Sequence, residues 1–218
     1  MSAIYNDVQP IPSLNKKIEI VVTNKDLIDL MLELSSEEGK KAVLDHACYD
    51  QPAPHFLLGD TGVEETLCQY SNLYDVLTTD QDMISYFEFN KKHKNGGLYL
   101  DRGFYIEDVE FKYKDSSFSY NVIGATSPNK YRYRKFSDED NTHALRTRID
   151  LYFSIAASNN IDIFIIGAFG CNVYNQDINE VVNIIKELLN GKYSKSFRKV
   201  YFNTNKDNQY QMVKKILL

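Results

Sequence analysis

The residues whose types and spacing could bind an anion lie in the stretch FIIGAFGCNVYNQD, residues 164–177. An apolar run breaks there at Gly167 and Gly170, just ahead of a helical pattern. Glycine lets the backbone approach a ligand closely or adopt positive φ, and successive backbone N–H groups can cradle a pyrophosphate. The sequence has neither a G-x-G-x-x-G signature nor a Walker loop, so the two glycines equally fit a plain strand-to-helix turn.

Two adjacent acids, Glu64 and Glu65, are the second candidate group. A helix is predicted from Thr61 by an apolar stripe at helical spacing, whose members are Val63, Leu67, Tyr70, Tyr74 and Leu77. Both acids fall in the first turn and off this stripe, where the helix dipole favours ionised carboxylates. Thr61 and Glu64 match a capping box, which gives Glu64 a structural explanation. Glu65 does not fit that reciprocal pair, so it is the acid that the capping pattern leaves without a role.

These two stretches are embedded in a pattern of strands and helices. Strands are predicted at 18–22, 41–47, 98–115, 119–126, 161–168 and 197–204. Helices are predicted at 24–34, from Thr61, along an apolar face from Leu145 to Ala156, at 178–191 and at 208–218. Pro52 and Pro54 require a loop ahead of the acids. The alternation of strand and helix in the second half favours parallel pairing, so the sequence predicts one three-layer α/β domain over residues 1–218.

Composition argues against several functional classes. The net charge of −5 comes from interspersed acids and bases without a long basic block, so no nucleic-acid partner is predicted. Cys48, Cys68 and Cys171 are far apart, which predicts neither a disulfide framework nor a zinc site, and no spacing requires a metal or another cofactor. We find no export signal and no run of about 18 apolar residues, so we expect a cytoplasmic protein without a membrane partner. Abundant Asn, Ile, Lys and Tyr without Trp are typical of an A+T-rich genome, bacterial or phage.

A family resemblance rests on three segments, LDHACYDQPAPHFLLGDTGVEETLCQYSNLY, VIGATSPN and FIIGAFGCNVYNQD. In this order, over residues 41–190, they resemble the microbial poly(ADP-ribose) glycohydrolase-like branch of the macrodomain family. The resemblance implies a three-layer macrodomain-like fold with a mixed, mostly parallel central sheet flanked by helices. It also implies a cleft for ADP-ribose or an ADP-ribosyl conjugate, and hydrolysis of the glycosidic bond at the ribose.

The resemblance also assigns roles to the candidate residues. Glu65 matches the family's catalytic carboxylate, a general acid that protonates the leaving group and then, as a base, activates water. Glu64 is expected to brace the ribose hydroxyls, and Asp45 to hydrogen-bond the outer ribose or the adenine edge. The diphosphate is expected at the turn made of Gly167, Ala168, Phe169, Gly170, Cys171, Asn172, Val173 and Tyr174.

The chain departs from the family pattern at both motifs. Ala53, Pro54 and His55 stand where the family has a glycine triplet, and Val63 stands where it has glutamine. Pro54 donates no N–H, and the added Cβ atoms hinder the close approach of a ligand. Asn172 replaces an expected glycine, although asparagine tolerates left-handed φ better than most residues.

Four further side chains have two interpretations each. His55 either donates to a phosphate or packs under its loop. Phe169 and Tyr174 are either neighbours of the adenine or ribose, or aromatics of the core. Cys171 lies between them, and because no histidine and acid partner occur in its sequence context, we expect a small buried side chain rather than a nucleophile.

Two hypotheses from different classes follow. In the first, the chain is a glycohydrolase that releases ADP-ribose from a conjugate, with Glu65 as acid and base; retention of both acids favours it. In the second, the chain is a catalytically inactive binding module that senses or sequesters ADP-ribose or a derived nucleotide signal; the Ala-Pro-His loop favours it. In a third interpretation, the chain has kept the macrodomain fold only for contacts with other proteins.

Overall fold

A seven-stranded sheet organises the part of the chain that the computed structural model describes, residues 1–12, 15–132, 136–204 and 206–218. Its strands in chain order are β1 (Ser2–Tyr5), β2 (Glu19–Thr23), β3 (Lys41–Asp45), β4 (Gly103–Tyr113), β5 (Ser116–Ala125), β6 (Ile163–Gly167) and β7 (Lys199–Asn203). Their spatial order is β1-β4-β5-β3-β6-β7-β2. β4 pairs antiparallel with β1 and β5, whereas the other four neighbouring pairs are parallel. The sheet is therefore mixed and mostly parallel, as expected.

Helices cover both faces of this sheet. They are α1 (Leu27–Ser35), α2 (Val63–Gln69), α3 (Leu73–Thr79), α4 (Gln81–Lys92), α5 (Asp138–Ser158), α6 (Ile178–Asn190) and α7 (Asp207–Leu217). Side chains alternate along β3, so that Ala42 and Leu44 pack with α5, α6 and α7, while Val43 packs with α1 to α4. The predicted three-layer α/β class is confirmed.

The segment that carries the two acids differs from its prediction. The single helix predicted from Thr61 is two helices, because the backbone of residues 70–72 pairs with β4 instead of continuing the helix. Tyr70 O accepts from the N–H of Lys112 at 2.8 Å, and the N–H of Asn72 donates to Glu110 O at 3.2 Å. α2 begins at Val63 after Gly62 and has no side-chain cap, so the predicted capping box of Thr61 and Glu64 is wrong.

The central position of β3 decides where a site can form. β3 lies between β5 and β6 and runs parallel to both. The carboxyl ends of these three strands therefore meet at one edge of the sheet, which is where open α/β sheets bind ligands. The segments that follow Asp45, Ala125 and Gly167 converge at this edge.

Side-chain caps fix the starts of two helices that border the same edge. Asp26 accepts from the N–H groups of Ile28 and Asp29 at the start of α1. Asp177 accepts from those of Asn179 and Glu180 at the start of α6. Each cap satisfies N–H groups that would otherwise lack a partner in the first turn. α6 therefore begins immediately after the glycine turn.

Candidate functional site

A cavity of about 510 Å³ opens where the three strand ends converge. Its walls come from the segment after β3, from the segment after β5 and from the turn after β6. Nine of the sequence-predicted site residues line it, namely His55, Glu64, Glu65, Ala168, Phe169, Gly170, Asn172, Val173 and Tyr174. Asp45, Gly167 and Cys171 lie outside this lining. The structure thus brings the two motifs together in the lining of one cavity.

A smaller cavity of about 170 Å³ adjoins the first. The two share five lining residues, His46, Gly62, Val63, Ala168 and Asn172. Asp26 and Lys206 border only the smaller one, and Gly167 also lines it. The two cavities therefore form one two-lobed cleft; the acids line the larger lobe, and the start of α1 borders the smaller one.

The acidic end of the cleft contains three buried carboxylates. Glu64 is 3% exposed, Glu65 is 8% exposed and Asp45 is 0% exposed. The backbone N–H of Cys48 donates to Glu64 Oε2 at 3.0 Å. Both carboxylate oxygens of Asp45 and Oε1 of Glu64 have no hydrogen-bond partner among the described residues. Asp45 continues the Val43 side of β3 and faces the helix layer that contains α2, so it lies behind the two glutamates.

Burial governs the protonation of two of these carboxylates. Burial and then the charge of Glu65 raise the pKa of Asp45 well above its ordinary value. Burial and then the charge of Asp45 raise the pKa of Glu64, against the lowering effect of the Cys48 and Ala53 N–H groups. Charged carboxylates this close together in a low-dielectric site repel each other, so protons are retained. Asp45 and Glu64 therefore keep their protons to a higher pH than exposed carboxyl groups do.

Gly62 makes room for the carboxylate of Glu65. A Cβ atom at position 62 would lie 2.2 Å from Glu65 Oε2, far inside van der Waals contact. Gly62 stands directly before α2 and has an extended backbone, with φ −62° and ψ 169°. The Glu65 side chain therefore folds back over the helix start, into the wall that the two cavities share.

The turn after β6 has the properties of an anion site. Gly170 has a φ of +75°, and a Cβ there would lie 2.2 Å from Ser127 Oγ, so only glycine fits without a shift. The backbone N–H groups of Gly170, Asn172 and Val173 have no acceptor within the described ranges. All three residues line the main cavity. Unpaired N–H groups on successive turn residues are what a phosphate oxygen needs.

Gln176 ties this turn to the segment after β5 and to α5. Its side chain is 5% exposed, and Nε2 donates to Pro128 O at 2.6 Å and to Asn141 Oδ1 at 2.9 Å. Asn141 Nδ2 donates back to Gln176 Oε1 at 3.0 Å, and the N–H of Lys130 donates to Tyr174 O at 3.0 Å. The turn, the segment after β5 and the start of α5 are thus held as one unit.

The aromatic residues of the turn belong largely to the core. Phe169 is 0% exposed and packs edge-on against Tyr152, with ring centroids 5.4 Å apart. It borders the cavity but has no free face for stacking. Tyr174 is half-buried and meets the edge of Tyr99 at 6.1 Å. Cys171 is half-buried, and burial raises the pKa of its thiol to about 12, which fits the predicted inert side chain better than a nucleophile.

The loop that replaces the glycine triplet keeps one glycine-like feature. Ala53 is 2% exposed and has a φ of +37°, a conformation that residues with a Cβ rarely adopt. Pro54 and His55 line the cavity, and His55 is exposed. Two hydrogen bonds lie within the loop segment, since Ala53 O accepts from Phe56 N–H and His55 O from Leu58 N–H, and the Ala53 N–H lowers the pKa of Glu64. The loop therefore contacts Glu64 through its backbone and presents the side chains of Pro54 and His55 to the cavity.

Several lining residues were missed by the sequence reasoning. His46 and Cys48 follow β3 directly and line the main cavity, and their place just after a buried strand was the available signal. Lys94 and Arg132 are exposed cations at the same cavity, and Lys94 pairs with Asp50 at 2.5 Å. No motif marks these two positions, because loops distant in sequence bring them to the site.

Fold and site together define a class, an α/β protein with a macrodomain-like cleft that contains an acid pair and an N–H-rich turn. A family model described as microbial-type PARG, catalytic domain, matches residues 2–112. The chain belongs to this family, so the resemblance seen in the sequence is confirmed. No curated protein sequence matches significantly.

Solved bacterial structures share the fold. A structure of poly(ADP-ribose) glycohydrolase (PARG) from Deinococcus radiodurans in complex with ADP-ribose is 26% identical over 91% of this chain and 82% of that chain, with a TM-score of 0.81. PARG from Thermomonospora curvata aligns over 98% of this chain and 85% of that chain, with a TM-score of 0.87 and 20% identity. A second T. curvata structure, bound to the inhibitor ADP-HPD, gives a TM-score of 0.85 at 21% identity over 98% and 84% of the chains. The macrodomain-like fold is confirmed.

Among the helices of the described ranges, none combines the length and the apolar composition of a membrane span.

Proposed function

We propose that the two-lobed cleft binds an ADP-ribose-containing ligand. The observation that carries the proposal is the pairing of a buried acid pair with an N–H-rich turn across one cavity. A diphosphate fits the unpaired N–H groups of Gly170, Asn172 and Val173, which places the ribose of the glycosidic bond towards Glu65. The adenosine half then extends into the smaller cavity. The PARG structures solved with ADP-ribose and with ADP-HPD support this class of ligand.

We further propose that the chain hydrolyses the glycosidic bond at this ribose. Glu65 protonates the leaving group while the ribose C1 develops oxocarbenium character, and its carboxylate then takes a proton from the attacking water. Glu64 is held by the Cys48 N–H and braces the ribose hydroxyls. Asp45 has no exposed surface, so it acts through the glutamates and not, as predicted from the resemblance, by direct contact with the ligand.

Binding and turnover are tested separately. Titration calorimetry with ADP-ribose, with AMP and NAD as comparison ligands, tests the cleft. Release of ADP-ribose from an ADP-ribosylated protein tests turnover. Glu65→Gln is expected to lower the rate 100-fold or more and to leave ADP-ribose affinity within tenfold, because general acid and base catalysis typically contributes 10²–10⁴. Glu33→Gln, on the exposed side of α1, is the matched control. Full activity of Glu65→Gln would remove Glu65 from the mechanism.

A binding module without turnover is the second candidate function. It is favoured by the loop at 53–55, in which Pro54 offers no N–H and the side chains of Pro54 and His55 line the cavity that the acids also line. The triple variant Ala53→Gly, Pro54→Gly, His55→Gly distinguishes the two candidates. If the wild type binds ADP-ribose without turnover and the variant turns over, the loop is the cause of inactivity. If the wild type turns over, the binding-module candidate is wrong.

A further inference from the structure

His46 occupies the point where the two lobes of the cleft join. It is the first residue after β3 and lines both cavities. Its Cε1 and Nε2 atoms lie 3.4 and 3.5 Å from the place where a Cβ at Gly167 would be. Its ring edge packs against Phe169, with centroids 5.6 Å apart. The imidazole therefore stands beside the start of the glycine turn.

The chemistry of this imidazole is that of a neutral donor and acceptor. Burial lowers the pKa of His46 to about 4, so the ring is uncharged at neutral pH. Among the described residues, neither ring nitrogen has a hydrogen-bond partner. A neutral imidazole offers one N–H and one lone pair, which a ligand in the cleft can use.

The charged groups around His46 come from every element that borders the junction. Asp26 at the start of α1 and Lys206 after β7 line the smaller cavity, and Lys206 Nζ donates to Asn172 Oδ1 at 2.6 Å. Asp45 precedes His46 in the chain, and Glu65 lies against Gly62 in the shared wall. Burial alone shifts the pKa of His46, so none of these charges dominates its protonation.

We propose that His46 contacts the ligand and determines specificity by donating a hydrogen bond to a phosphate oxygen of its diphosphate. The inference rests on the proposed function. The diphosphate is the middle of an ADP-ribose unit, and His46 lines the junction between the lobe that contains the acids and the proposed adenosine lobe. Its N–H adds a side-chain donor to the backbone donors of the glycine turn, without a fixed positive charge.

Two substitutions distinguish contact from packing. His46→Gln keeps an N–H donor but removes the aromatic ring, whereas His46→Phe keeps the ring against Phe169 but removes the donor. If His46 contacts phosphate, His46→Phe weakens ADP-ribose binding tenfold or more, as for a hydrogen bond to a charged group, and His46→Gln stays within about threefold. If the ring serves packing alone, the order is reversed. Titration calorimetry measures affinity, and thermal unfolding confirms that both variants are folded.

A direct readout uses the ¹³Cε1 resonance of His46 in a pH titration with and without ADP-ribose. An anion within hydrogen-bond distance favours the imidazolium, so the pKa of His46 is expected to rise above about 4 in the complex.

The outcomes separate this inference from the function on which it rests. Wild-type binding of ADP-ribose with unchanged affinity in His46→Phe and an unmoved His46 resonance would overturn the role of His46 and leave the proposed function standing. A wild type that does not bind ADP-ribose would overturn both. Loss of affinity in both variants supports the inference when the His46 resonance moves on binding, and overturns it when the resonance does not.

Discussion

Asp45→Asn tests whether a buried carboxylate keeps its proton in the folded protein. Asp45 is 0% exposed, neither of its oxygens has a partner in the described part of the chain, and its pKa is raised by burial and then by the charge of Glu65. Asparagine has nearly the same size and cannot ionise. The variant therefore copies the protonated side chain and removes the titration.

The direction of the effect follows from proton linkage. The folded pKa of Asp45 lies above the unfolded value of about 3.9, so the folded protein holds a proton that the unfolded chain releases. The stability that this proton contributes is complete below about pH 4 and is lost as the pH rises through the folded pKa. Over that range the wild type loses up to about 1.4 kcal/mol in the free energy of unfolding per pH unit.

Glu64 adds to the same slope. The charge of Asp45 is the second-largest influence on the pKa of Glu64 after burial, and both raise it. Asp45→Asn removes that charge, so the Glu64 pKa falls towards its ordinary value. The difference in the free energy of unfolding between variant and wild type should therefore grow with pH. A change in stability that the new amide causes equally at every pH does not affect this slope.

The assay is urea unfolding of wild type and variant at half-unit steps from pH 4.5 to pH 8. The expected result is a variant whose free energy of unfolding, relative to wild type, increases steadily with pH. Asp162→Asn is the control: burial acts to raise the Asp162 pKa, but the hydrogen bond from Lys16 keeps it below its ordinary value. The difference in the free energy of unfolding between Asp162→Asn and wild type therefore changes with pH in the opposite direction, and it changes only near and below pH 4. Parallel curves for Asp45→Asn and wild type would refute proton retention at Asp45.

Three further results are expected. Gly62→Ala should lower turnover about 100-fold with little loss of stability, because the added methyl group displaces the Glu65 carboxylate. A hydrolysis assay measures the turnover and thermal unfolding measures the stability. Unchanged turnover would contradict the position of the Glu65 side chain. Gly170→Ala should destabilise the fold by about 1–3 kcal/mol and abolish ADP-ribose binding, because alanine would have to adopt the positive φ of this position and its Cβ would clash with Ser127. Urea unfolding measures the stability and calorimetry the binding. Wild-type stability and affinity would contradict the conformation described for this turn. The thiol of half-buried Cys48, whose pKa burial raises to about 11, should react with iodoacetamide at pH 8 on the order of 100-fold more slowly than free cysteine. Mass spectrometry follows the labelling, and rapid reaction would contradict the raised pKa.

The sequence predicted the parts of the fold whose patterns are local. The apolar run at 161–168 and the helix that Gly191 ends correspond to β6 and α6, because burial on both sides and helical periodicity are visible in a short window. β1 and α4 were not predicted: β1 has four half-buried residues, and α4 is mostly polar. The break between α2 and α3 depends on hydrogen bonds to β4, forty residues away, which no local pattern contains.

Some parts of the candidate site could likewise be predicted from local sequence patterns, and others could not. The acid pair and the glycine turn could be found because each is a contiguous motif. The depth of Asp45 depends on the helix layer that covers it, so its predicted contact with the ligand could not be judged from the sequence. His46 has no motif around it and becomes a candidate only when two cavities are seen to meet at its ring.

The paired amides of Gln176 and Asn141 have a consequence for how a ligand is received. They hold the glycine turn against Pro128 and the start of α5, so the protein's own hydrogen bonds fix the turn that carries the N–H groups. Binding then costs little conformational entropy at the turn, and most of the interaction energy with an anion remains available as affinity. The cleft is preorganised on its diphosphate side, so we expect any adaptation to the group attached to the ribose to fall on the loop of residues 51–62.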